Sequence, residues 1–446
     1  MRKVVKFGGS SLADACQMKK VVDIIRADES RMYVVPSAPG KRFKGDVKVT
    51  DMLIRCYEIQ KRDVDEGHAY FYHIQDRYDE IISGLGLDFS LEDEYREIHS
   101  AIDEGMSEEY LVSRGEYLNG KVLAAALGYR FIDPADYVVF DAAGNYDENR
   151  TVEAFYDVDI SERFVMPGFY GAAENGRIKT FSRGGSDITG SIVAKAMKVD
   201  VYENWTDVSG FLAADPRIIE NPAGIQEISY SELRELSYMG ASVFHEEAIF
   251  PARSEGIPIN IRNTNRPEDE GSWIVPDDKI TEAHSFITGI TGKTDFTALS
   301  FEKDIGSDRL GFGRKVLQVF EESKVMVEHV PSSIGTMTVL VDDKELEGKE
   351  ENILRRIRRE IDPYNIKVEH DLALVAIVGE SMYGAVGAAA EIFRVLAAAG
   401  VNVKLSIQGI NEISCVVGVA EDDFETSIKA LYSYAEACNR ARKLIV

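Results

Sequence analysis

At residues 6–11 the chain reads K-F-G-G-S-S, and at 183–187 it reads R-G-G-S-D. Each stretch joins a cation to a glycine pair and a hydroxyl, and that combination suits anions. Bare backbone N–H groups can approach a guest closely, and a helix that starts beside them adds a favourable dipole. Lys6 precedes its glycines, whereas the lysine of a Walker P-loop follows them, so the first stretch is not a P-loop. One glycine pair by itself only makes a tight strand-to-helix turn. Two in one domain can cradle a polyphosphate from two sides, with Arg183 offering a bidentate cation and Asp187 a carboxylate.

These residues need a scaffold, and the flanking sequence describes one. Residues 4–7 form a short apolar run, as expected of a buried parallel strand. Leu12, Ala15, Met18, Val22 and Ile25 then mark one helical face, and "RMYVVPSAPG" reads as a second buried strand running into a loop. Strand, helix and strand in this order make a βαβ unit. From Asp63 to Ala126 the chain is charged and helix-periodic. Ser113 and Glu116 have the spacing of a capping box. Further strand-to-loop units follow at "YVVFDAAG", "FVMPGFYGAAENG", "IKTFSRGGSD" and "VDVYENWTDVSG". Ligands of open α/β sheets bind at such carboxyl ends. Asp207 has the setting of a turn residue and Trp205 that of core. His68 and His73 sit on a polar helical stretch and read as solvated surface.

A boundary is expected near Thr281–Ser285, because the tail beyond it repeats itself. "VLQVFEESKVMVEHVPSSIGTMTVLV" lies over "IFRVLAAAGVNVKLSIQGINEISCVV", with Leu317 over Phe393, an offset of 76 residues (393 − 317). Each copy reads as a helical face, an alternating strand, a turn and another strand. That is a small α+β unit present twice, paired modules rather than a solenoid.

The totals agree with a multidomain soluble protein. The chain has 446 residues, 45% hydrophobic and 28% charged, enough for two or three domains. A net charge of −25 argues against sequence-independent binding to nucleic acid or to an anionic membrane. The four cysteines show no framework spacing, and no window is long and apolar enough to span a bilayer. A cytoplasmic setting follows as the expectation.

In this order, and followed by a tandem tail, "KFGGSS", "RGEYLNGKVLAAAL", "FSRGGSDITG" and "WTDVSGFLAADPR" closely resemble the aspartate kinases. The resemblance covers essentially the whole chain. It implies a three-layer α/β/α amino-acid-kinase domain with a mainly parallel sheet over 1–283. Two ferredoxin-like ACT units, 284–370 and 371–446, would follow it, with strand exchange between them an open question. The implied activity is transfer of the γ-phosphoryl group of ATP to the side-chain carboxylate of L-aspartate, giving 4-phospho-L-aspartate, the first step of lysine, threonine and methionine biosynthesis. Mg²⁺ would be held mainly by the nucleotide phosphates, with no protein metal site.

The resemblance also assigns residues. Lys6 would meet the transferring phosphoryl group and Asp187 would orient Lys6. Gly8, Gly9, Ser10, Thr206, Asp207, Leu212, Arg217 and Ser242 fall where the family binds ATP. Arg183 would hold the α-carboxylate of aspartate, Glu116 its ammonium group, and Ser37, Thr50 and Ser186 would add contacts. Ser242 and Leu212 depart from the lysine and tyrosine usual in the family, and the proline in "VPSAPG" replaces the more usual valine. In the tail, Gly313, Met326, Val327, Glu328 and Ser332 would line an effector pocket in the first ACT copy. Lysine is the expected effector and threonine its rival. The second copy carries Lys404, Gln408 and Gly409 at the places of Glu328, Ser332 and Ser333, so the two copies differ chemically. A homodimer through the ACT units is implied, with a tetramer as the larger option. The competing reading is an amino-acid-responsive regulatory protein whose kinase domain has decayed.

Overall fold

The computed structural model describes residues 1–182, 184–240, 246–281, 285–303, 311–333, 335–410 and 413–443, and of 246, 247, 442 and 443 only the backbone. The chain forms two compact units. The first takes in Met1–Phe211, Gly224–Tyr230 and Ser242–Ile280, and the second Leu212–Ala223, Ser231–Ala241 and Thr281–Val446. The expected boundary near 283 lies outside the described residues.

The main sheet of the first unit has eight strands: β1 (Lys3–Phe7), β2 (Arg31–Pro36), β3 (Arg130–Phe131), β4 (Phe164–Val165), β5 (Val201–Thr206), β6 (Glu227–Ser229), β7 (Ile259–Asn263) and β8 (Ser272–Val275). Their order is β6-β8-β7-β5-β1-β2-β4-β3, and every pairing is parallel except β7 with β8. The strands alternate between two helical layers. Val5 and Phe7 face a core made with α1 (Ala15–Arg26), α2 (Val49–Gln60), α3 (Val64–Leu85), α4 (Glu92–Asp103) and α5 (Glu108–Leu127). Phe7 stacks there on the fully buried Trp205, ring centres 5.9 Å apart. Lys6 points the other way, toward α6 (Gly185–Ala196). The helix over Tyr230–Tyr238 (α7) belongs from Ser231 onward to the second unit, and one over Glu246–Ser254 (α8) to the first.

The second unit carries one antiparallel sheet of six strands: β9 (Gly289–Glu302), β10 (Ser332–Ser333), β11 (Thr336–Asp342), β12 (Asn365–Val378), β13 (Leu405–Gln408) and β14 (Ser414–Ala420). The order is β10-β11-β9-β12-β14-β13. The repeat is visible in it: α9 (Phe312–Glu322) and α11 (Ala388–Ala398) lie at the offset read from the sequence. The two copies are not separate sandwiches, however. At 14 residues each, β9 and β12 are more than twice the usual strand length and serve both copies. Leu299 and Phe301 pack with α9 and α10 (Glu350–Glu360), whereas Ile290, Val375 and Ile377 pack with α11 and α12 (Phe424–Lys443). The changeover coincides with register shifts between Lys293 and Ala298 and with left-handed backbone at Asp295 and Asp371. The expected division at 370/371 therefore falls inside a continuous strand.

Candidate active site

The first glycine pair does not open an α-helix directly. Gly9–Leu12 form a single 3₁₀ turn, and α1 begins only at Ala15, capped by the Asp14 carboxylate, which accepts from the Gln17 N–H at 2.9 Å. The end of α1 is therefore not aimed at an anion beside this turn, and the Gly8 N–H, expected to face one, instead donates to Trp205 O at 3.0 Å across the β1–β5 pairing. The two glycines have different reasons. A Cβ on Gly9 would lie 2.9 Å from the Ala38 carbonyl oxygen, because this turn presses against the loop after β2, where the Gly40 N–H donates to Gly9 O at 2.8 Å. A Cβ on Gly8 would meet nothing closer than 3.7 Å, and one of its two neighbours there is Lys6 Nζ. Packing does not require glycine at position 8, where a methyl group would fit in ordinary contact with the lysine. Ser10 is exposed at this turn.

The second pair behaves as expected of a helix start. Gly184 is left-handed (φ 60°) and caps α6, and Gly185 lies so close to Phe169 and Phe181 that a Cβ would clash. Ser186 is buried against Gly168, where a Cβ would lie 2.6 Å from Ser186 Oγ. Asp187, in the first turn of α6, reaches Lys6: Oδ1 and Nζ are 2.5 Å apart. Asn204 of β5 donates to the same oxygen at 2.7 Å. Arg183 and Ser242 lie outside the described residues.

The loop after β2 ties the first turn to Glu116. The Ser37 N–H donates to Phe7 O at 3.1 Å, and Ser37 O accepts from Asn119 of α5 at 2.6 Å. Glu116 sits two turns inside α5 and is buried. It is no capping-box residue: Ser107 caps the helix, accepting from the Tyr110 N–H at 3.3 Å, and Ser113 donates instead to Tyr110 O. Burial pushes the Glu116 carboxyl up to about 8, only partly offset by the Ala38 N–H, and its Oε2 has no hydrogen-bond partner. A buried acid with one free oxygen is arranged to receive a cation. Thr50, half-buried, is the second residue of α2.

Thr206 ends β5 and Asp207 follows it, with the Thr206 hydroxyl donating to Asp207 at 3.2 Å. Leu212 and Arg217 belong to the second unit, where Leu212 is exposed and Arg217 is ion-paired with Asp215 at 2.6 Å. Two supports went unread in the sequence. Asn204 could have been found from the alternation of "YENWT", which puts it on the Lys6 face. Arg77 carried no local signal: from α3 it donates to Ala13 O, Gly40 O and Asp46, bracing both loops. His68 is likewise not the solvated residue expected. Because α4 packs on α3, His68 joins a chain from Gln75 through His99 to Asp103. Among the described residues no three His, Cys, Asp or Glu side chains are grouped to hold an ion, and no helix is long and apolar enough to cross a membrane.

In the second unit, the segment before β10 is less regular than the alternating strand expected. Glu328 N–H donates to Leu340 O, Leu340 N–H to His329 O and Thr338 N–H to Pro331 O, but Pro331 has no N–H to continue the ladder. Glu328 is half-buried, Met326 and Ser332 are exposed, and Val327 packs on the α9 core. A Cβ on Gly313 would make ordinary contact only, its nearest neighbour being Met337 Sδ at 3.6 Å.

A parallel α/β kinase scaffold with two glycine turns, joined to an antiparallel α+β module, defines an amino-acid kinase with an ACT region. In agreement, residues 1–263 match the amino acid kinase family and residues 375–434 an ACT domain. The chain is 38% identical to aspartokinase 3 of Bacillus subtilis, over 96% of this chain and 98% of that one. It is 45% identical to the solved aspartate kinase of Clostridium acetobutylicum, described as an allosteric enzyme, with a TM-score of 0.91 over 98% and 99% of the two chains. E. coli aspartokinase III, solved with aspartate and ADP, shares the fold at 23% identity, with a TM-score of 0.72 over 97% and 99% of the two chains. The chain belongs to the aspartate kinases.

Proposed function

We propose that this kinase joins the γ-phosphoryl group of ATP to the side-chain carboxylate of L-aspartate at the Lys6–Asp187 pair. The observation that carries this reading is the ion pair of the buried Lys6 with Asp187, set between the two glycine turns with room for a methyl group beside Lys6 Nζ at Gly8. It also counts against a decayed kinase. Gly9 and Ser10 would donate to the phosphates, while Gly8, whose N–H already donates to Trp205 O at 3.0 Å, would line the site without donating. Thr206, Asp207, Leu212, Arg217 and Ser242 would bind the rest of the nucleotide. Arg183 takes the α-carboxylate of aspartate, Glu116 its ammonium group, and Ser37, Thr50 and Ser186 complete the pocket. A carboxylate with an ordinary pKa near 3.9 is already nucleophilic at neutral pH, so no general base is needed. The obstacle is bringing an anion in line with a polyanion, and positioning plus charge neutralisation supply the rate. Mg²⁺ carried on the nucleotide phosphates would neutralise further charge.

The same reading extends to regulation: lysine, with threonine as the alternative, binds the first ACT copy at Gly313, Met326, Val327, Glu328 and Ser332, in a cytoplasmic homodimer or tetramer built through the ACT copies. ACT units over 284–370 and 371–446 remain the proposed division. The test is aspartyl-phosphate formation from ATP, Mg²⁺ and L-aspartate, trapped as the hydroxamate, with lysine or threonine titrated in. Turnover that falls with lysine is expected. No turnover in folded protein would sink the proposed chemistry, and turnover indifferent to both amino acids would sink the regulation.

A further inference from the structure

Lys6 and Asn204 are direct partners in the parallel pairing of β1 with β5. Side chains at paired positions leave the same face of the sheet side by side, roughly 5 Å apart. Here both converge on one atom, Asp187 Oδ1, which lies 2.5 Å from Lys6 Nζ and accepts from Asn204 Nδ2 at 2.7 Å. Asn204 Nδ2 also donates to the Tyr202 hydroxyl oxygen at 3.2 Å, and that hydroxyl donates to the Asp187 backbone carbonyl at 3.2 Å. Tyr202 is itself seated deliberately: a Cβ on Gly190 of α6 would lie 2.5 Å from its hydroxyl oxygen. Asn204 is 2% exposed. A neutral amide at that depth directs its donors at Asp187 and at the phenol that holds the Asp187 backbone.

We infer that Asn204 is a positioning residue for phosphoryl transfer, keeping Asp187 in place when Lys6 turns from it to the incoming phosphoryl oxygens. This rests on the reading of Lys6 and Asp187 given above. In the free enzyme the lysine and the carboxylate satisfy each other. During transfer the ammonium group must share itself with the phosphoryl oxygens, and a carboxylate held by nothing else would follow it and blunt its charge. The amide bond to Oδ1 is a charge-assisted hydrogen bond that does not depend on Lys6. Asn204 itself touches no substrate in this scheme and gives up no proton.

The test compares Asn204→Leu and Asn204→Asp with the parent, and runs Lys6→Ala and Asp187→Asn beside them. For Asn204→Leu, kcat is expected to fall about tenfold or more, the loss of one hydrogen bond to a charged group. KM for ATP and for aspartate should stay within about twofold, because no substrate contact is removed. Asn204→Asp keeps the shape and sets a second carboxylate against Asp187, with Lys6 and Tyr202 the other groups facing it. Its deficit relative to the parent should therefore be larger at pH 8 and should narrow toward pH 6, where a protonated carboxyl can again donate. Should the Leu variant fail to fold, the near-isosteric Asp variant carries the test. Parental kcat in the Asn204 variants, or a deficit that is constant with pH in Asn204→Asp, overturns the inference. If Lys6→Ala and Asp187→Asn keep full activity, it is the site reading that fails; if they are inactive while the Asn204 variants match the parent, only this inference falls.

Discussion

The two glycine pairs look alike in sequence and are built differently. Gly184 and Gly185 do what a glycine pair before a helix is expected to do: one adopts a left-handed backbone, the other lets α6 pass close to Phe169 and Phe181. Gly8 and Gly9 have ordinary negative-φ or turn backbone and lead into a 3₁₀ turn. Gly9 is demanded by the neighbouring loop, whereas Gly8 is demanded by nothing inside the protein. The difference teaches that a glycine without an internal reason marks where something else comes in. It also assigns the two turns separate tasks: the second aims Asp187, and the first leaves room for no more than a small group beside Lys6 Nζ.

The largest expected effect strikes where the two turns meet. Lys6→Ala or Asp187→Asn should lower kcat by about a thousandfold or more, on the scale seen when a charge-stabilising group is lost from phosphoryl transfer. Circular dichroism and the melting temperature should show folded protein. Wild-type-like turnover in either variant would dissolve the site.

Separating the glycines of the first pair gives the next test. Gly9→Ala forces backbone apart at Ala38 and Gly40 and should cost about 1–3 kcal/mol, read as a lower melting temperature. Gly8→Ala adds a methyl in ordinary contact and should leave stability within about 0.5 kcal/mol, while KM for ATP rises about tenfold. Equal destabilisation by both would erase the distinction drawn above.

Glu116 sharpens the aspartate side. Its carboxyl is raised to about 8 by burial, so in the free enzyme it is protonated below that pH and cannot pair with an ammonium group. Because kcat/KM reports the free enzyme, kcat/KM for aspartate should rise with pH through about 8. Glu116→Gln should flatten that rise and lower kcat/KM about a hundredfold at pH 9. Stability runs the opposite way. Between the unfolded value of 4.5 and about 8 the folded state binds the extra proton, so the stabilising contribution is full below that window and is lost as pH rises through it. The Gln variant has no such loss and should melt higher than the parent at pH 8.5. A variant that melts lower there would mean that the buried oxygen is better satisfied than its surroundings indicate.

How much of this was legible in the sequence depends on distance along the chain. The order of strand, turn and helix around Lys6, the burial of Trp205 and the repeat that places α9 and α11 were all readable, because each is local or periodic. The capping box at Ser113 and Glu116 was misread because Ser107, six residues earlier, already caps the helix. Arg77, Asn119 and the His68–His99 contact could not be read, since each depends on which helices lie side by side. The sharing of β9 and β12 by both tail copies was hidden for the same reason: a repeat shows that two units exist and leaves open which strands they hold in common.

The smallest expected effect on basal activity concerns that repeat. Its copies agree in their helices and differ where the first has Glu328 and the second Lys404. Glu328 N–H is tied to Leu340 in the ladder and its carbonyl accepts from Tyr238 at 3.3 Å, so the backbone is held, and the half-buried carboxylate beside the Tyr238 hydroxyl would turn from it to meet a guest. An acidic side chain there suits the ammonium groups of lysine, and a carboxylate lost from a charged pair commonly costs about 2–5 kcal/mol of binding. Glu328→Ala should therefore raise the lysine concentration for half-inhibition by about thirtyfold or more, while turnover without lysine stays within about twofold. Lys404→Ala, the matching change in the second copy, should leave lysine inhibition nearly as it was. If the two substitutions relieve inhibition equally, the copies bind as equivalents and their chemical difference has no functional weight. If neither does, the effector sits elsewhere in the module.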